Sequence, residues 1–237
     1  MIFKQHYSSS EGNLYTLESG DSRIIIECGV SWKRLQKALD YKLNNVDFCL
    51  VSHEHGDHCE SAEKLLKARI GVYASEGTIQ AASGDKDVKD QYILTSLVVT
   101  HIDNGKWSVF PFQTHHDCEE PQGFVISDGA ETMLFATDTR FILEHFNQRF
   151  DIIAIECNYD KDIISAKVES GEINEELAKR ISKNHMEKSA TLSYLQKHCD
   201  LTKCREIHLI HMSKDNLNKS ETVKEFEETL MIKVVTV

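Results

Sequence analysis

Residues 51 to 59, Val-Ser-His-Glu-His-Gly-Asp-His-Cys, place three histidines and two acids directly behind an apolar run, Val46-Asp-Phe-Cys-Leu-Val51. Imidazole and carboxylate are the usual ligands of zinc, manganese and iron. A tight loop at the carboxyl end of a strand can aim alternate side chains at two neighbouring ions. His53 and His55 can then share one ion while Asp57 and His58 turn toward the other. The plain alternative is a solvated polar loop, which one histidine after a strand would favour. Three histidines at this spacing, with a glycine interposed, favour ligation. A binuclear site needs further ligands at other strand ends, and the chain offers them. Thr114-His-His-Asp117 follows a run ending at Phe112, Ala136-Thr-Asp-Thr139 follows an apolar run, and His211-Met-Ser213 follows another. Each alone is weak, because a strand-end Asp or His is often only a turn residue. Taken together and in this order they are specific, although strand alternation does not decide between His115 and His116.

The elements that must carry these groups read as two similar halves. Short strands are expected over 2–7, 13–18 and 23–27, with turns at 8–12 and at Gly20-Asp21. Trp32, Leu35, Ala38 and Leu39 have helical spacing and predict a helix over 32–43. A strand over 46–51 feeds the histidine cluster, followed by a helix over 61–68, a strand over 70–73 and a short helix over 77–82. Strands return at 97–101, 107–114, 123–127 and 133–135, with Asp128-Gly129 as a hairpin turn between the last two. A strand over 151–155 precedes helices over 163–199. A strand over 206–210, a helix presenting Val223, Phe226 and Leu230 on one face, and a strand over 232–237 complete the chain. This order predicts an α/β fold with two sheets covered by helices on their outer sides. Two prolines and no Gly/Ser-rich or charge-block linker in 237 residues predict a single domain over 1–237.

Composition limits the function classes. No stretch approaches the ~20 consecutive apolar residues that span a membrane. The first ten residues lack the basic-then-apolar pattern of a secretory signal, so a cytoplasmic protein is expected. Seven cysteines without a C-x-x-C pair read as reduced packing residues. Cys59 and Cys118 stand beside ligand candidates, yet packing remains the simpler role for both. A formal charge of −11 argues against coating nucleic acid by bulk electrostatics. It leaves a nuclease open, since two bound cations would invert the local potential.

The set H-x-H-x-D-H, then H, then D in a T-D-T context, then H-x-S resembles the metallo-β-lactamase superfamily over nearly the whole chain. The resemblance implies a four-layer αβ/βα sandwich with two mixed sheets and two divalent metal ions, Zn2+ or Mn2+. It assigns His53, His55 and His116 to one ion, and Asp57, His58 and His211 to the other, with Asp138 bridging. It also favours His116 over His115. The segments S-S-S-E-G-N-L-Y, I-I-E-C-G-V-S, H-H-D-C-E-E-P-Q-G-F-V-I and I-E-C-N-Y-D are similar to the YycJ/WalJ-like branch of bacteria and phages. That branch implies a 5′-to-3′ DNA exonuclease that hydrolyses phosphodiester bonds with a metal-bridging hydroxide. DNA is the implied partner, without membrane attachment, in a bacterial cytosol or a phage-infected host; a homodimer stays open. Two departures stand out: Glu27 where relatives usually place Asp, and Asn184-His-Met-Glu187 where a G-H-L-S type motif is expected.

Three residues are assigned to the chemistry. Asp57 would orient the hydroxide. His185 would protonate or stabilise the leaving oxygen, and Glu156 resembles the acid that orients such a histidine in RNA-processing relatives. Asn184 and Glu187 have N-cap spacing, which predicts His185 in the first turn of a helix, where phosphate oxygens are favoured. His6, His101, His145, His198 and His208 have no matching context and read as structural or exposed. A phosphodiesterase for small or cyclic nucleotides is the main competing function, mildly favoured by the acidic charge. A thioester or lactone hydrolase shares the first motif but leaves I-E-C-N-Y-D and N-H-M-E unexplained. An RNA-processing enzyme with a large inserted cap has too few residues between Asp138 and His211.

Overall fold

A computed structural model describes residues 1–83 and 92–237. Their strands form two mixed sheets, of five and seven strands, flanked by helices. The chain divides into two compact units: Met1–Gln113 with Cys118–Glu131 and Val237, and Thr114–Asp117 with Thr132–Thr236.

In the first unit, β1 (Ile2–Ser9), β2 (Gly12–Ser19) and β3 (Ser22–Cys28) pair antiparallel. The β2–β3 turn is Gly20-Asp21, and Gly20 takes a φ of +57°, which suits the twist of a tight hairpin. β4 (Phe48–Leu50) and β5 (Gly71–Tyr73) then add in parallel. Between the parallel strands run α1 (Trp32–Ala38), α2 (Gly56–Cys59) and α3 (Ala62–Lys67). Leu14, Ile25 and Cys49 of the sheet pack with Leu35, Ala62 and Leu65 of the helices. After α4 (Glu76–Ser83), β6 (Thr100–Ile102), β7 (Trp107–Gln113) and β8 (Gln122–Ser127) form an antiparallel run. The buried Trp107 ring meets Phe48 edge-on at 6.4 Å, and its Nε1 donates to Ser22 Oγ at 2.8 Å.

The second unit is built on four parallel strands in the order β12-β11-β10-β9: β9 (Thr132–Ala136), β10 (Ile152–Glu156), β11 (Glu206–Ile210) and β12 (Lys233–Val235). β10 reads Ile-Ile-Ala-Ile-Glu and is buried throughout, as expected of a parallel strand covered on both faces. α5 (Lys161–Glu169), α6 (Glu175–Asn184) and α7 (Lys188–His198) connect β10 to β11, and α8 (Lys219–Leu230) connects β11 to β12. Phe226 is the fully buried residue of the expected α8 face. No described helix is long and apolar enough to cross a membrane.

Several expected elements are shorter than their patterns: the strands over 46–51 and 232–237 are reduced to Phe48–Leu50 and Lys233–Val235, and two further cases have a backbone cause. The helix over 32–43 stops at Ala38, because Asp40 and Tyr41 turn left-handed, with φ of 51° and 58°. The strand over 97–101 starts only at Thr100. Leu97 also has a positive φ, and its N–H is used by Pro111 O at 2.8 Å.

Candidate metal centre

In the first unit the chain leaves β4 at Leu50, passes His53, and enters α2, which His55 caps with its carbonyl. Asp57 and His58 follow on that single helical turn. The His53 ring lies 4.8 Å from His55 and 4.1 Å from His58 by centroid. His53 Nδ1 is 2.9 Å from Ser52 Oγ. His58 Nδ1 lies 3.3 Å from Glu27 Oε2, and His58 Nε2 lies 3.4 Å from Asp57 Oδ2. Glu27 is fully buried, turns left-handed at the end of β3 with a φ of 61°, and accepts from the Ser52 N–H at 3.1 Å. Burial pushes its carboxyl above the usual range, against the pull of His58 and Ser52. Glu in place of Asp thus still sets a carboxyl oxygen 3.3 Å from His58 Nδ1. Asn13 Nδ2 donates to Asp57 O at 3.2 Å. Gly29 allows this packing: a Cβ there would sit 1.7 Å from Asp57 O.

In the second unit the ligand candidates come from separate strand ends. The parallel register sets Glu156 beside Ile210, and Ile155 beside Ala136. Asp138, Glu156 and His211 therefore emerge together at the carboxyl edge of this sheet, the usual ligand-binding edge of parallel α/β structure. Asp138 and His211 each turn left-handed just past their strands, with φ of 42° and 50°. Such backbone in non-glycine residues concentrates at functional sites. His211 Nδ1 lies 3.2 Å from Asp138 Oδ1 and 3.1 Å from Glu156 Oε1. His116 Nε2 lies 3.5 Å from Asp138 Oδ2, and its Nδ1 is 3.0 Å from the Asn184 carbonyl. Ligand atoms of Asp138, Glu156, His185 and His211 all lie within 4.8 Å of one another.

Glu156 organises this cluster. It is fully buried, accepts from the Thr139 and Met186 N–H groups at 2.8 and 3.2 Å, and meets His185 Nδ1 at 2.7 Å. Burial alone would raise its carboxyl; the imidazoles of His185 and His211 outweigh that and hold it below the usual range. Burial opposes a proton on His185, but Glu156 prevails and lifts the imidazole to about 9.

The expected N-cap at Asn184 is corrected. α6 runs through Asn184, His185 is its C-cap, and the next helix is capped by Glu187, whose side chain accepts from the Ala190 N–H. His185 thus lies between two helices, not in the first turn of one. The Asn184 amide is engaged elsewhere, donating to Asp117 Oδ2 at 2.8 Å. His115 turns away from this cluster and stacks on Phe141, with ring centroids 4.0 Å apart. Among the histidines set aside, His6 pairs with Thr16 Oγ1 at 3.0 Å, His101 with Ser108 Oγ at 3.0 Å, and His145 with His198 at 2.9 Å. His208 is buried. Asn13, Gly29 and Asn158 were not singled out from the sequence. Asn158 Nδ2 donates to the His211 carbonyl at 2.8 Å. The asparagines lie within the segments E-G-N-L-Y and E-C-N-Y-D, so their signal was present only as resemblance.

A family model for the Metallo-beta-lactamase superfamily matches residues 10–183. The chain is 25% identical over 239 aligned residues to the exodeoxyribonuclease WalJ of Streptococcus pneumoniae, covering 95% of this chain and 84% of that protein. It is also 25% identical to the exodeoxyribonuclease YycJ of Bacillus anthracis, over 88% of this chain and 81% of the other. Among solved structures it resembles the metallo-beta-lactamase fold protein YhfI of Bacillus subtilis, with a TM-score of 0.74 at 17% identity, covering 99% of this chain and 95% of that one. The chain belongs to the metallo-beta-lactamase superfamily, and it is a metal-dependent hydrolase.

Proposed function

We propose that the chain is a dinuclear-metal phosphodiesterase that removes nucleotides from DNA in the 5′-to-3′ direction. The observation that carries this reading is how the histidines are held. Nδ1 of His53, His116 and His211 faces, respectively, Ser52 Oγ, the Asn184 carbonyl and Glu156, while at His58 Glu27 lies 3.3 Å from Nδ1 and the Asn13 amide reaches Nε2 at 3.1 Å. Oxygen acceptors behind Nδ1 fix tautomer and ring orientation in metal-ligating histidines and assign Nε2 to the metal. The donor set of imidazole and carboxylate fits Zn2+ or Mn2+. His53, His55 and His116 would hold one ion, and Asp57, His58 and His211 the other, with Asp138 shared. Two such ions supply a water ionised near neutral pH and neutralise charge on a phosphodiester.

The remaining work falls to the protein's own groups. Asp57 orients the attacking oxygen. His185 donates a proton to the leaving oxygen, and Glu156, bonded to its Nδ1 at 2.7 Å, aims the ring and favours its protonated form. DNA as substrate is supported by the two exodeoxyribonuclease relatives. The test is incubation of the purified protein with Mn2+ or Zn2+ on 5′-labelled DNA and, in parallel, on cyclic nucleotides. Early release of labelled mononucleotide is expected. Hydrolysis of cyclic nucleotides alone would replace DNA with a small substrate.

A further inference from the structure

We propose that Phe141 and His115 form a stacking platform for the terminal nucleobase of a single DNA strand, with Arg140 beside it for the backbone phosphate. The inference rests on the DNA reading above and names the part of the substrate this surface takes. Among the described residues Phe141 is the only exposed phenylalanine, at 38% exposure. It follows β9 by five residues, in the same loop as Asp138. Its ring lies over His115 at 4.0 Å with an interplanar angle of 29°, so two flat side chains already form a stack with one aromatic exposed to solvent. Arg140 is also exposed. An exposed aromatic face with an exposed arginine one residue before it in the chain offers a nucleotide both a π-face for its base and a cation for its phosphate.

The platform is fixed to the ligands. The His115 N–H donates to Thr139 Oγ1 at 2.9 Å, and the Arg140 N–H donates to His115 O at 3.0 Å. Thr139 Oγ1 donates to Phe141 O at 2.7 Å, while the Thr139 N–H is held by Glu156. His115 adjoins His116 in sequence, and Thr139 adjoins Asp138. A base stacked here is therefore held in register with the groups proposed to cleave its phosphodiester. Stacking is sequence-tolerant because every base has a π-face, as an exonuclease without sequence preference requires.

The test pairs a protein change with a substrate change. Wild-type protein loaded with Mn2+ is compared with Phe141→Ala and Phe141→Trp on single-stranded oligonucleotides whose 5′-terminal residue is either normal or abasic. Phe141→Ala should raise KM about 5- to 20-fold on the normal end, the lower part of the range for one base–aromatic stack. Removing the base should weaken wild type by a similar factor and the alanine variant by no further factor. Phe141→Trp should restore discrimination. If Phe141→Ala still separates normal from abasic ends as wild type does, the platform is wrong while the DNA reading stands. If wild type releases nothing from any DNA end, the DNA reading falls and takes this inference with it.

Discussion

The loop of the first unit and the strand-end cluster of the second hold the same side-chain types by different means. In the loop, His53, His55, Asp57 and His58 lie within six consecutive positions, the last two on the single turn of α2 that His55 caps. Backbone packing shapes them, with Gly29 against Asp57 and one buried acid, Glu27, behind His58. In the cluster, Asp138, Glu156, His185 and His211 come from distant positions and are gathered by a parallel register and one hub carboxylate. The contrast separates local from distributed design. A turn can present ligands by covalent geometry, whereas separate strand ends need an ionised group that several partners share. The two acids differ accordingly: Glu27 is pushed toward its neutral form, Glu156 toward its charged one.

The largest effects should come from removing a ligand from either region. Asp57→Asn in the loop and His116→Ala in the second unit should each abolish DNA hydrolysis, by about 10³-fold or more. A lost ion no longer lowers the pKa of water from ~15.7 toward ~7. The fold should persist, because strand-end ligands contribute charge to a site and little packing to a core. Elemental analysis and circular dichroism measured alongside activity check both halves of this expectation. A variant that kept wild-type rates at saturating metal would remove its residue from the ligand set.

His185 should respond differently, because its proposed role is to move a proton. His185→Ala should lower turnover on DNA by about 10²–10⁴-fold, the usual range for losing a general acid, with metal content unchanged. The deficit should shrink on a nitrophenyl phosphodiester, whose leaving group needs no proton. An equal loss on both substrates with metal retained would indicate substrate positioning; loss of an ion would move His185 into the ligand set.

The hub itself can be compared with its counterpart. Glu156→Gln should destabilise the chelator-treated protein by about 3–5 kcal/mol, because it strips a buried charge from two imidazoles. Glu27→Gln keeps an acceptor for the Ser52 N–H and should change stability by only about 1 kcal/mol. Urea midpoints of the two apo variants test this ordering. Equal midpoints would mean that the two acids do the same work.

The same contrast explains what could be read from the chain alone. The loop stood out because its candidate ligands are contiguous, and Asp138 and His211 because each closes an apolar strand whose end is evident from pattern. Glu156 ends such a strand too. The shape of the His185 segment was not legible. Asn184 and Glu187 have cap spacing, but Asp117 binds the Asn184 amide and α6 extends through it, so a tertiary contact overrides a local signal. Asn13 and Gly29 escaped for the same reason. Their roles exist only once β2 and β3 lie beside α2.

The smallest effect expected is that of Cys59, which follows His58 and closes α2. A thiol beside a ligand invites the idea of a mixed sulfur and nitrogen site, which would blur the distinction between loop and cluster. Its surroundings argue against that. Sγ lies 3.1 Å from the Glu54 carbonyl, to which the thiol donates, and burial pushes the group up to about 12. A metal-ligating cysteine is a thiolate, and thiolates are stabilised by cationic surroundings, while the nearby Glu27 and Glu54 act in the opposite sense. Cys59→Ser retains a hydroxyl donor on the side of the Glu54 carbonyl. Activity should stay within about twofold and stability within about 0.5 kcal/mol, as for substitutions that break no buried network. Co2+ substitution provides the decisive readout: wild type and Cys59→Ser should give the same spectrum, without a thiolate-to-cobalt charge-transfer band. A band present in wild type and lost in the variant would make Cys59 a ligand and revise the donor set of the loop.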